Sequence, residues 1–512
     1  MEGRRALVIS RRQFVAAPAL IGPALIGLSR KTDRPVTGGF VNDSFPLGHR
    51  LRDRAAFPKP AQQLRVPIVI VGGGMAGLSA AWHLDKRGFH DFVLLEMEQQ
   101  AGGNSRWGEN EISRFPWAAH YVPVPAKGDS LARELFEELG VLRDGKWDER
   151  VLCFDPQERL FINGRWQEGI EPEDGATPKD RAQYRRFMEK IGEFRSTGQF
   201  TVPMENRAKA SPLDRMSMAD WLVQQGFGSA PLGWYVNYAC RDDYGALAKD
   251  TSAWAGIQYF ASREPEEKGP LTWPEGNGWI AARLIDKLKR YLRTGGMVYG
   301  VVRSGNTIRV LTERTEYVAD ALIWAAPTFL ASYVIEGAPR AEGFQYSPWL
   351  TANLTLDRIP DQKNAEPAWD NVIYDSPALG YVNATHMSLA THVDRTVWTF
   401  YWSLAEYRPE EGRRLLLARD WNYWKEAILN DLARAHPDIR QCVAHIDIMR
   451  IGHAMARPSP GFLFSEERGR WLKPAGNMFF ANSDLSGFSI FEEAQYRGVE
   501  AARGALRVVG RA

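Results

Sequence analysis

A Gly-Gly-Gly-Met-Ala-Gly run is the pattern in this sequence that most directly implies chemistry. Gly72 permits a tight turn, Gly74 lets a ligand approach the backbone, and Gly77 allows a helix to pack closely on a strand. Met75 and Ala76 lie where that helix would begin, so its free N–H groups and its dipole attract phosphate there. The spacing therefore predicts a dinucleotide-binding loop.

The segments on either side of this loop are the elements needed to position it. Val66–Val71 is an apolar, β-branched run that predicts a buried parallel strand. A helical stretch follows and stops near Gly88, and a second strand, Phe92–Leu95, ends on Glu96. An acidic residue at that position accepts hydrogen bonds from the ribose hydroxyls of a dinucleotide.

The residues after the second strand indicate which dinucleotide is bound. The segment from Glu96 to Asn104 resembles the E-x-x-x-R-x-G-G-R continuation of FAD enzymes in the flavin-containing amine oxidase and phytoene desaturase superfamily. Gly102 and Gly103 match this pattern, whereas a glutamine and an asparagine replace its two arginines. The resemblance implies that Gly102, Gly103 and Asn104 lie against FAD. Arg106 is placed to restore a lost phosphate contact.

Three later segments resemble the same superfamily and occur in its order. Phe115–Tyr121 lies where the family has a loop beside the flavin ring, and Trp273–Trp279 resembles its P-x-G-G-x-x-x-L element before a helix. The strands between Val298 and Pro327 resemble a hairpin that flanks the adenine. The resemblance implies that the backbone of Val302 meets the adenine.

The C-terminal segments carry the most specific resemblance. Asn477–Asp484 is similar to the family's strand-to-loop L-x-F-A-G-D/E, which implies that Asp484 lies near the pyrophosphate and ribityl chain. Glu492–Ala502 resembles the E-G-A-x-x-S-G-x-x-A-A helix. The N-terminus of this helix, near Phe491, is expected to point at the flavin, where its dipole stabilises negative charge.

The resemblance implies an α/β protein with two domains. One is a Rossmann-type FAD-binding domain, built from a parallel sheet with helices, and the other is a discontinuous α+β substrate domain. The predicted divisions are a signal (1–31), a linker (32–62), the FAD-binding domain (63–130, 271–335 and 451–512) and the substrate domain (131–270 and 336–450).

Two histidines are the candidate catalytic residues, because imidazole titrates near neutral pH. His120 lies in the loop predicted beside the flavin, and His453 enters the last FAD segment; a position in the core is the alternative for each. Amine oxidases usually carry a lysine near the flavin, and Thr351 lies at the corresponding position here. No lysine is nearby in the sequence.

The run Arg241-Asp242-Asp243 concentrates charge beside aromatic residues and has two interpretations. The carboxylates can line a polar pocket for a cationic amine, or the run can form a structural salt bridge where the domains meet. The second interpretation is favoured from sequence alone.

These observations lead to a hypothesis about function. The chain is expected to be an FAD-dependent oxidoreductase that takes a hydride from the C–N bond of an amine or polyamine onto flavin N5. A desaturase or dehydrogenase of an apolar substrate, which the missing lysine favours, and a flavin-binding protein without turnover remain open. No cysteine follows Cys442, so a cysteinyl link in the last segment is excluded and non-covalent FAD is expected.

Composition excludes other classes of function. The net charge is +2 without a long basic run, which argues against a nucleic-acid partner. The three cysteines and nine histidines show no metal-ligand spacing, so no metal site is predicted.

The N-terminal segment is typical of a targeting signal. Ser10–Val15 resembles the twin-arginine signature, and the uncharged stretch Phe14–Leu28 follows it. That stretch is interrupted by prolines and glycines and is shorter than the ~20 apolar residues of a membrane-spanning helix, so no anchor is predicted. The resemblance implies export of the folded protein to the periplasm, with the twin-arginine export machinery as a partner.

Overall fold

The structure is a computed structural model that describes residues 34–41, 44–127, 130–204, 209–263, 269–362, 365–390 and 392–511. The predicted export signal (1–31) lies outside the described residues. Within the described ranges, no helix combines the length and the apolar character needed to cross a membrane.

Helices and strands alternate along the chain. The helices are α1 (Phe45–Arg52), α2 (Met75–Lys86), α3 (Ser130–Glu138), α4 (Pro178–Ser196), α5 (Met218–Gln224), α6 (Ala230–Tyr244), α7 (Ala253–Ala261), α8 (Gly278–Leu288), α9 (Ala331–Val334), α10 (Pro409–Ala418), α11 (Trp421–Leu432), α12 (Ile439–Cys442), α13 (Glu466–Trp471) and α14 (Phe491–Val508). The strands are β1 (Thr37–Val41), β2 (Gln62–Arg65), β3 (Ile68–Val71), β4 (Phe92–Leu95), β5 (Trp107–Glu109), β6 (Arg114–Pro116), β7 (Tyr121–Val122), β8 (Leu142–Arg143), β9 (Lys146–Trp147), β10 (Glu158–Ile162), β11 (Arg165–Glu168), β12 (Leu271–Thr272), β13 (Leu292–Arg293), β14 (Val298–Ser304), β15 (Thr307–Thr312), β16 (Thr315–Ala319), β17 (Ala321–Trp324), β18 (Gln345–Leu356), β19 (Asp370–Ile373), β20 (Gly380–Asn383), β21 (Thr396–Trp402), β22 (Val443–Arg457) and β23 (Met478–Phe480).

The predicted parallel sheet is present, with the order β13-β4-β3-β17-β23. Its central strand β3 is buried on both faces, as its unbroken β-branched sequence predicts. Ile68 and Ile70 pack under α2, α8 and α14, whereas Val69 and Val71 face the other side with Val301 of β14. The second sheet, β14-β15-β16-β2, covers that side. This three-layer arrangement confirms the predicted Rossmann-type domain.

The other domain is built on a mixed eight-stranded sheet with the order β1-β22-β18-β21-β20-β19-β10-β11. Helices α10, α11 and α12 cover one face, where Trp424 and Ile428 are buried against β18 and β22. Pro348 in β18 lies at a register shift between Ser347 and Trp349. A proline is tolerated at that point because a bulge needs no ladder N–H from it.

Two parts of the predicted organisation differ from the structure. The segment predicted as a linker (32–62) contains strand β1, which pairs with β22, and helix α1. The ring of Phe40 in β1 packs under the guanidinium of Arg450 at 3.7 Å, so the segment has a partly buried attachment that its polar composition concealed. The boundary predicted at 450/451 falls inside β22, which joins the two domains.

The crossing of α2 and α14 gives a direct test of the packing. A Cβ on Gly498 of α14 would lie 2.1 Å from the carbonyl oxygen of Ala76 in α2. Gly498→Ala should therefore lower the free energy of unfolding by about 1–3 kcal/mol, measured in urea. Gly192→Ala is the matched control, because that helical glycine has open space around it and the change should stabilise α4. Equal effects of the two variants would contradict this packing.

Candidate active site

The glycine loop between β3 and α2 has the geometry that its sequence predicts. Gly72 has φ +106°, and a Cβ there would lie 2.7 Å from a backbone nitrogen of the loop after β17. A Cβ on Gly77 would lie 1.8 Å from the carbonyl oxygen of Gly72, so α2 could not pack on the loop. Gly74 is the N-cap of α2, and no side chain caps the helix there. Gly74, Met75 and Ala76 line a cavity. The N–H groups of the first turn are available to an anion there.

Glu96 closes the other side of this cavity at the end of β4. Its two carboxylate oxygens accept hydrogen bonds from the backbone N–H groups of Gly73 and Glu98, each at 2.7 Å. Burial raises the pKa of Glu96, although both hydrogen bonds favour its ionised form. The carboxylate is thus fixed by the backbone and directed at the cavity.

The loop after β4 packs directly on the glycine loop. Gly102 and Gly103 have φ +124° and +57°, and a Cβ on Gly103 would lie 3.1 Å from the Cα of Gly74. Asn104 donates a hydrogen bond through Nδ2 to the carbonyl oxygen of Ala454 at 2.7 Å. All three predicted residues line the same cavity as Gly74.

Arg106 does not take the place of the missing arginines. Its Nε donates to the carbonyl oxygen of Gly103 at 3.1 Å, and Glu98 lies 3.8 Å from its guanidinium. The side chain is not part of the cavity wall. Arg106 therefore does not face the cavity in this structure, because its Nε is directed at Gly103 and its Nη2 at Met449, and the phosphate contact remains a prediction.

The C-terminal residues reach the cavity as predicted. The buried carboxylate of Asp484 accepts hydrogen bonds from the N–H and hydroxyl of Thr328, both at 2.7 Å, and from the hydroxyl of Tyr346 at 2.6 Å. Burial raises the pKa of Asp484 despite these donors. Asp484 and Phe491, the first residue of α14, both line the cavity.

The start of β14, rather than Val302, lies at the cavity. Val302 lies in β14 but does not line the cavity, whereas Val298, four residues earlier in that strand, does. β14 pairs with β15 along its whole length, from Val298 opposite Thr312 to Ser304 opposite Thr307. We therefore expect the backbone of Val298, rather than that of Val302, to contact the adenine.

The residues around this cavity of about 310 Å³ fit FAD. The uncapped N-terminus of α2 suits the pyrophosphate, and the fixed carboxylate of Glu96 suits the ribose hydroxyls. The three cysteines are buried, and none of them lines the cavity. Non-covalent attachment of FAD remains a prediction.

A larger cavity of about 730 Å³ opens from the first one. It is the place for a substrate, because a ligand in it would meet the end of the FAD cavity. The residues that line both cavities form the junction, and they are Asn104, Ala119, Asn277, Ala454, Ser489, Ile490 and Phe491. The start of α14 thus lies at the junction, which agrees with the predicted position of its dipole.

The three charged residues at the end of α6 have different roles, so each of the two interpretations given from sequence applies to part of the run. Arg241 donates to carbonyl oxygens of the loop 376–378 and has a structural role. Asp242 and Asp243 line the larger cavity, and Arg263 lies 3.5 Å from Asp243. The pocket interpretation, which sequence did not favour, therefore fits the two aspartates.

Burial and the charge of Asp243 raise the pKa of Asp242 to about 7. Burial also raises the pKa of Asp243, although the guanidinium of Arg263 opposes the shift. Two adjacent carboxylates in a cavity therefore share one cationic neighbour. A cationic ligand would favour the ionised form of both.

A side chamber of about 190 Å³ adjoins the larger cavity at Asp242 and Arg263. Glu158 of β10 and Asp370 of β19 also line it, because these residues are register partners in a parallel pair. Burial, followed by the charges of Glu158 and Asp242, raises the pKa of Asp370 well above its usual value. The aromatic walls of the chamber are Tyr121, Tyr238, Tyr259 and Trp369.

Sequence analysis missed this side chamber. Glu158 and Asp370 are far apart in the chain, and each is an ordinary acidic residue at the start of a strand. Only the pairing of β10 with β19 brings them together. No local pattern signals such a pair.

His120 lies between the larger cavity and the side chamber, as expected for a residue near the substrate. Its ring stacks on Tyr401 at 4.7 Å, and its Nδ1 lies 3.2 Å from the carbonyl oxygen of Ala118. Since that oxygen can only accept, Nδ1 carries the hydrogen. Burial lowers the pKa of His120 to about 4, so the ring is neutral at pH 7. A catalytic role of His120 remains a prediction.

His453 does not line the larger cavity. It stacks on Phe329 at 4.2 Å and lies between the FAD cavity and an outer groove. His453 lines the FAD cavity, whereas its neighbours Ala454 and Met455 line the larger one, and a catalytic role of His453 remains a prediction. Burial lowers the pKa of His453 to about 3.

The structure also shows the surroundings of Thr351, which occupies the position of the expected lysine. Thr351 is fully buried within β18, and Trp349, two residues earlier on the same side of the strand, lines the larger cavity. No lysine lines either cavity in the part of the chain that the structure describes. For the described residues, the lack of a lysine at these cavities therefore does not depend on the register chosen from sequence.

Comparison with known proteins gives the family. The model of the family "Flavin containing amine oxidoreductase" matches residues 75–506. Putrescine oxidase bound to putrescine has the same fold, with a TM-score of 0.67, 17% identity and coverage of 88% of this chain and 100% of that one. Cyclohexylamine oxidase from Brevibacterium oxydans IH-35A gives a TM-score of 0.66, with 13% identity and coverage of 87% and 100%.

Curated relatives match over short segments only. The regulatory subunit of mitochondrial pyruvate dehydrogenase phosphatase from Mus musculus is 31% identical over 140 residues, which are 25% of this chain and 14% of the mouse protein. The match to the family model, by contrast, covers most of the chain. The chain belongs to the flavin-containing amine oxidoreductase family and is an FAD-dependent oxidoreductase.

Proposed function

We propose that this enzyme oxidises a C–N bond in an amine that carries a second, positively charged nitrogen. The observation that carries this proposal is the pair Asp242 and Asp370, which face a chamber adjoining the substrate cavity. Asp242 and Asp370 line that chamber together with the guanidinium of Arg263, which also lies 3.5 Å from Asp243. A buried excess of negative charge is costly, and a ligand cation would compensate it.

The two nitrogens of such a substrate would lie at different places, one at the junction of the two cavities and one in the side chamber. The reacting C–N bond would lie at the junction, where bound FAD supplies the acceptor for a hydride from the α-carbon. The second ammonium would lie in the side chamber, among carboxylates and aromatic faces that attract cations. Neutral His120 lies between these two ends and can accept a hydrogen bond without repelling the cation. Putrescine, which is bound in the structure of putrescine oxidase, is an amine of this kind.

The first test is anaerobic reduction of the bound flavin by matched amines. 1,4-Diaminobutane should bleach the flavin absorbance with a dissociation constant about tenfold or more below that of butylamine, because only the diamine places a charge in the side chamber. Asp370→Asn should remove most of that preference. Asp286→Asn is the control, since it removes an exposed carboxylate from α8.

Two outcomes would contradict the proposal. Equal affinities for the monoamine and the diamine would show that the side chamber does not select a second cation. A flavin that no amine reduces would favour the desaturase alternative instead.

The pH dependence gives a second test. A bound cation favours ionised Asp242, whose pKa is raised to about 7 in the free enzyme. Binding therefore releases a proton, and the affinity for the diamine should rise as the pH increases through about 7. Asp242→Asn should weaken this dependence, because only Asp370, whose pKa is also raised, would then release a proton on binding. The account is wrong if the affinity of the unaltered enzyme falls over the same interval.

We also propose that the protein reaches the periplasm through the twin-arginine export machinery. The Arg11-Arg12 pair before an uncharged stretch supports this proposal. Replacing the pair by Arg11→Lys and Arg12→Lys should keep the folded flavoprotein in the cytoplasm, as measured by fractionation with activity and flavin fluorescence. Unchanged fractionation of the variant would refute this route.

A further inference from the structure

One wall of the FAD cavity comes from the chain segment that precedes the parallel sheet. Residues 34–41 and 44–58, which we call the N-terminal strap, include β1 and α1. Leu51, in the last turn of α1, lines the FAD cavity and keeps 8% of its surface exposed there. Leu51 does not line the larger cavity, so the strap meets the cofactor site away from the junction.

The wall that Leu51 forms lies at the adenosine half of the cavity. Helix α9 contacts both α1 and β14, and all three elements contribute residues to the lining. Just before α1, the hydroxyl of Ser44 donates a hydrogen bond to the carboxylate of Glu98. The backbone N–H of Glu98 in turn holds the carboxylate of Glu96 at 2.7 Å. Since Glu96 and Val298 are the residues expected at the ribose and the adenine, Leu51 faces the adenosine part of FAD.

Both ends of the strap are attached to the protein, one in each domain. β1 pairs with β22 of the eight-stranded sheet, and the ring of Phe40 packs under the guanidinium of Arg450. At the other end, Phe57 stacks on Tyr299 of β14 with ring centroids 4.6 Å apart. The hydroxyl of Tyr299 also donates to the carbonyl oxygen of Pro58 at 2.9 Å. The strap therefore connects the two domains across the adenosine half of the cavity.

The helix between these attachments is held by few contacts. Among the eight residues of α1, all of which the structure describes, only Leu51 is buried, whereas Phe45 and Leu47 are exposed. Arg50 forms an ion pair with Glu313 at 2.7 Å. An element with so few buried groups opens locally at a low cost in free energy. Because the one buried side chain faces the cavity, bound FAD would add the apolar contact that keeps α1 in place.

We propose that the N-terminal strap closes over the adenosine half of FAD and must open for the cofactor to enter or leave. Leu51 contacts the adenosine, and the attachments at β1 and Phe57 hold the ends of the strap while α1 opens between them. FAD favours the closed form, because a ligand shifts an equilibrium toward the state that binds it more tightly. The inference rests on FAD as the cofactor and not on the identity of the amine.

The contact of Leu51 is tested by Leu51→Ala. Bound FAD is exchanged against an excess of 5-deaza-FAD, whose visible spectrum differs, so the exchange rate reports dissociation of the original cofactor. Leu51→Ala should raise this rate about tenfold, because it removes apolar contact with the cofactor. Leu47→Ala is the matched control, since it makes the same change in the same helix at an exposed position outside the cavity lining. Equal exchange rates for the two variants would overturn the contact.

The opening of the strap is tested at an attachment that does not touch FAD. Arg50 lies outside the cavity lining, so Arg50→Ala should leave the visible spectrum of bound FAD unchanged. The same variant should raise the exchange rate severalfold, because α1 without its ion pair opens more often. Arg150→Ala removes an ion pair with Asp148, of 2.6 Å, outside the strap and should not change the rate. If Arg50→Ala exchanges FAD as slowly as the unaltered enzyme, the strap is a fixed wall and the inference fails.

These outcomes are independent of the proposed function. Exchange of FAD is measured without any amine, so an enzyme that no amine reduces would still show whether the strap controls the release of its cofactor. Conversely, slow exchange in all variants would overturn the strap and leave the diamine proposal untouched.

Discussion

The contact between two helix backbones is the constraint on which the site depends. Gly498 lets α14 pack on the first turn of α2, against the carbonyl of Ala76, with no side chain between them. This crossing brings the start of α14, at Phe491, to the cavity that the start of α2 already lines. Both helix N-termini therefore face one ligand, and their dipoles favour negative charge at two places along it.

Strand β22 is the second support of the site. It pairs with β18 in the eight-stranded sheet and then carries Ala454 to the junction, where the carbonyl of that residue accepts a hydrogen bond from Asn104. A single strand thus fixes the larger cavity relative to the FAD cavity. The parallel pairing of β10 with β19 adds carboxylates at the far end. The resulting arrangement has a neutral polar group at the junction and negative charge in the side chamber.

The parts of the site that sequence analysis predicted are continuous in the chain. The strand, glycine loop, helix and Glu96 follow one another, and their spacing alone defines the geometry because the backbone supplies most of the contacts. Asp484 and Phe491 were found in the same way, from local patterns. The Rossmann-type fold follows from these segments.

The sequence predictions fail where the direction of a side chain, or the pairing of distant strands, determines which residues line a cavity. Val302 and His453 lie on the predicted strands, but Val302 does not line the FAD cavity and His453 does not line the larger one. Arg106 follows the loop that lines the FAD cavity, but its Nε donates to a carbonyl oxygen of that loop. The chamber at Asp370 could not be predicted, because it requires the register between two distant strands.

A crystal structure with FAD and a non-oxidisable diamine would test the central claim most directly. 2,5-Dimethylhexane-2,5-diamine has no C–H bond on either carbon that bears nitrogen. We expect one nitrogen at the junction of the two cavities and the other between Asp242 and Asp370. A diamine with both nitrogens away from these groups, or a flavin ring that does not reach the junction, would contradict the account.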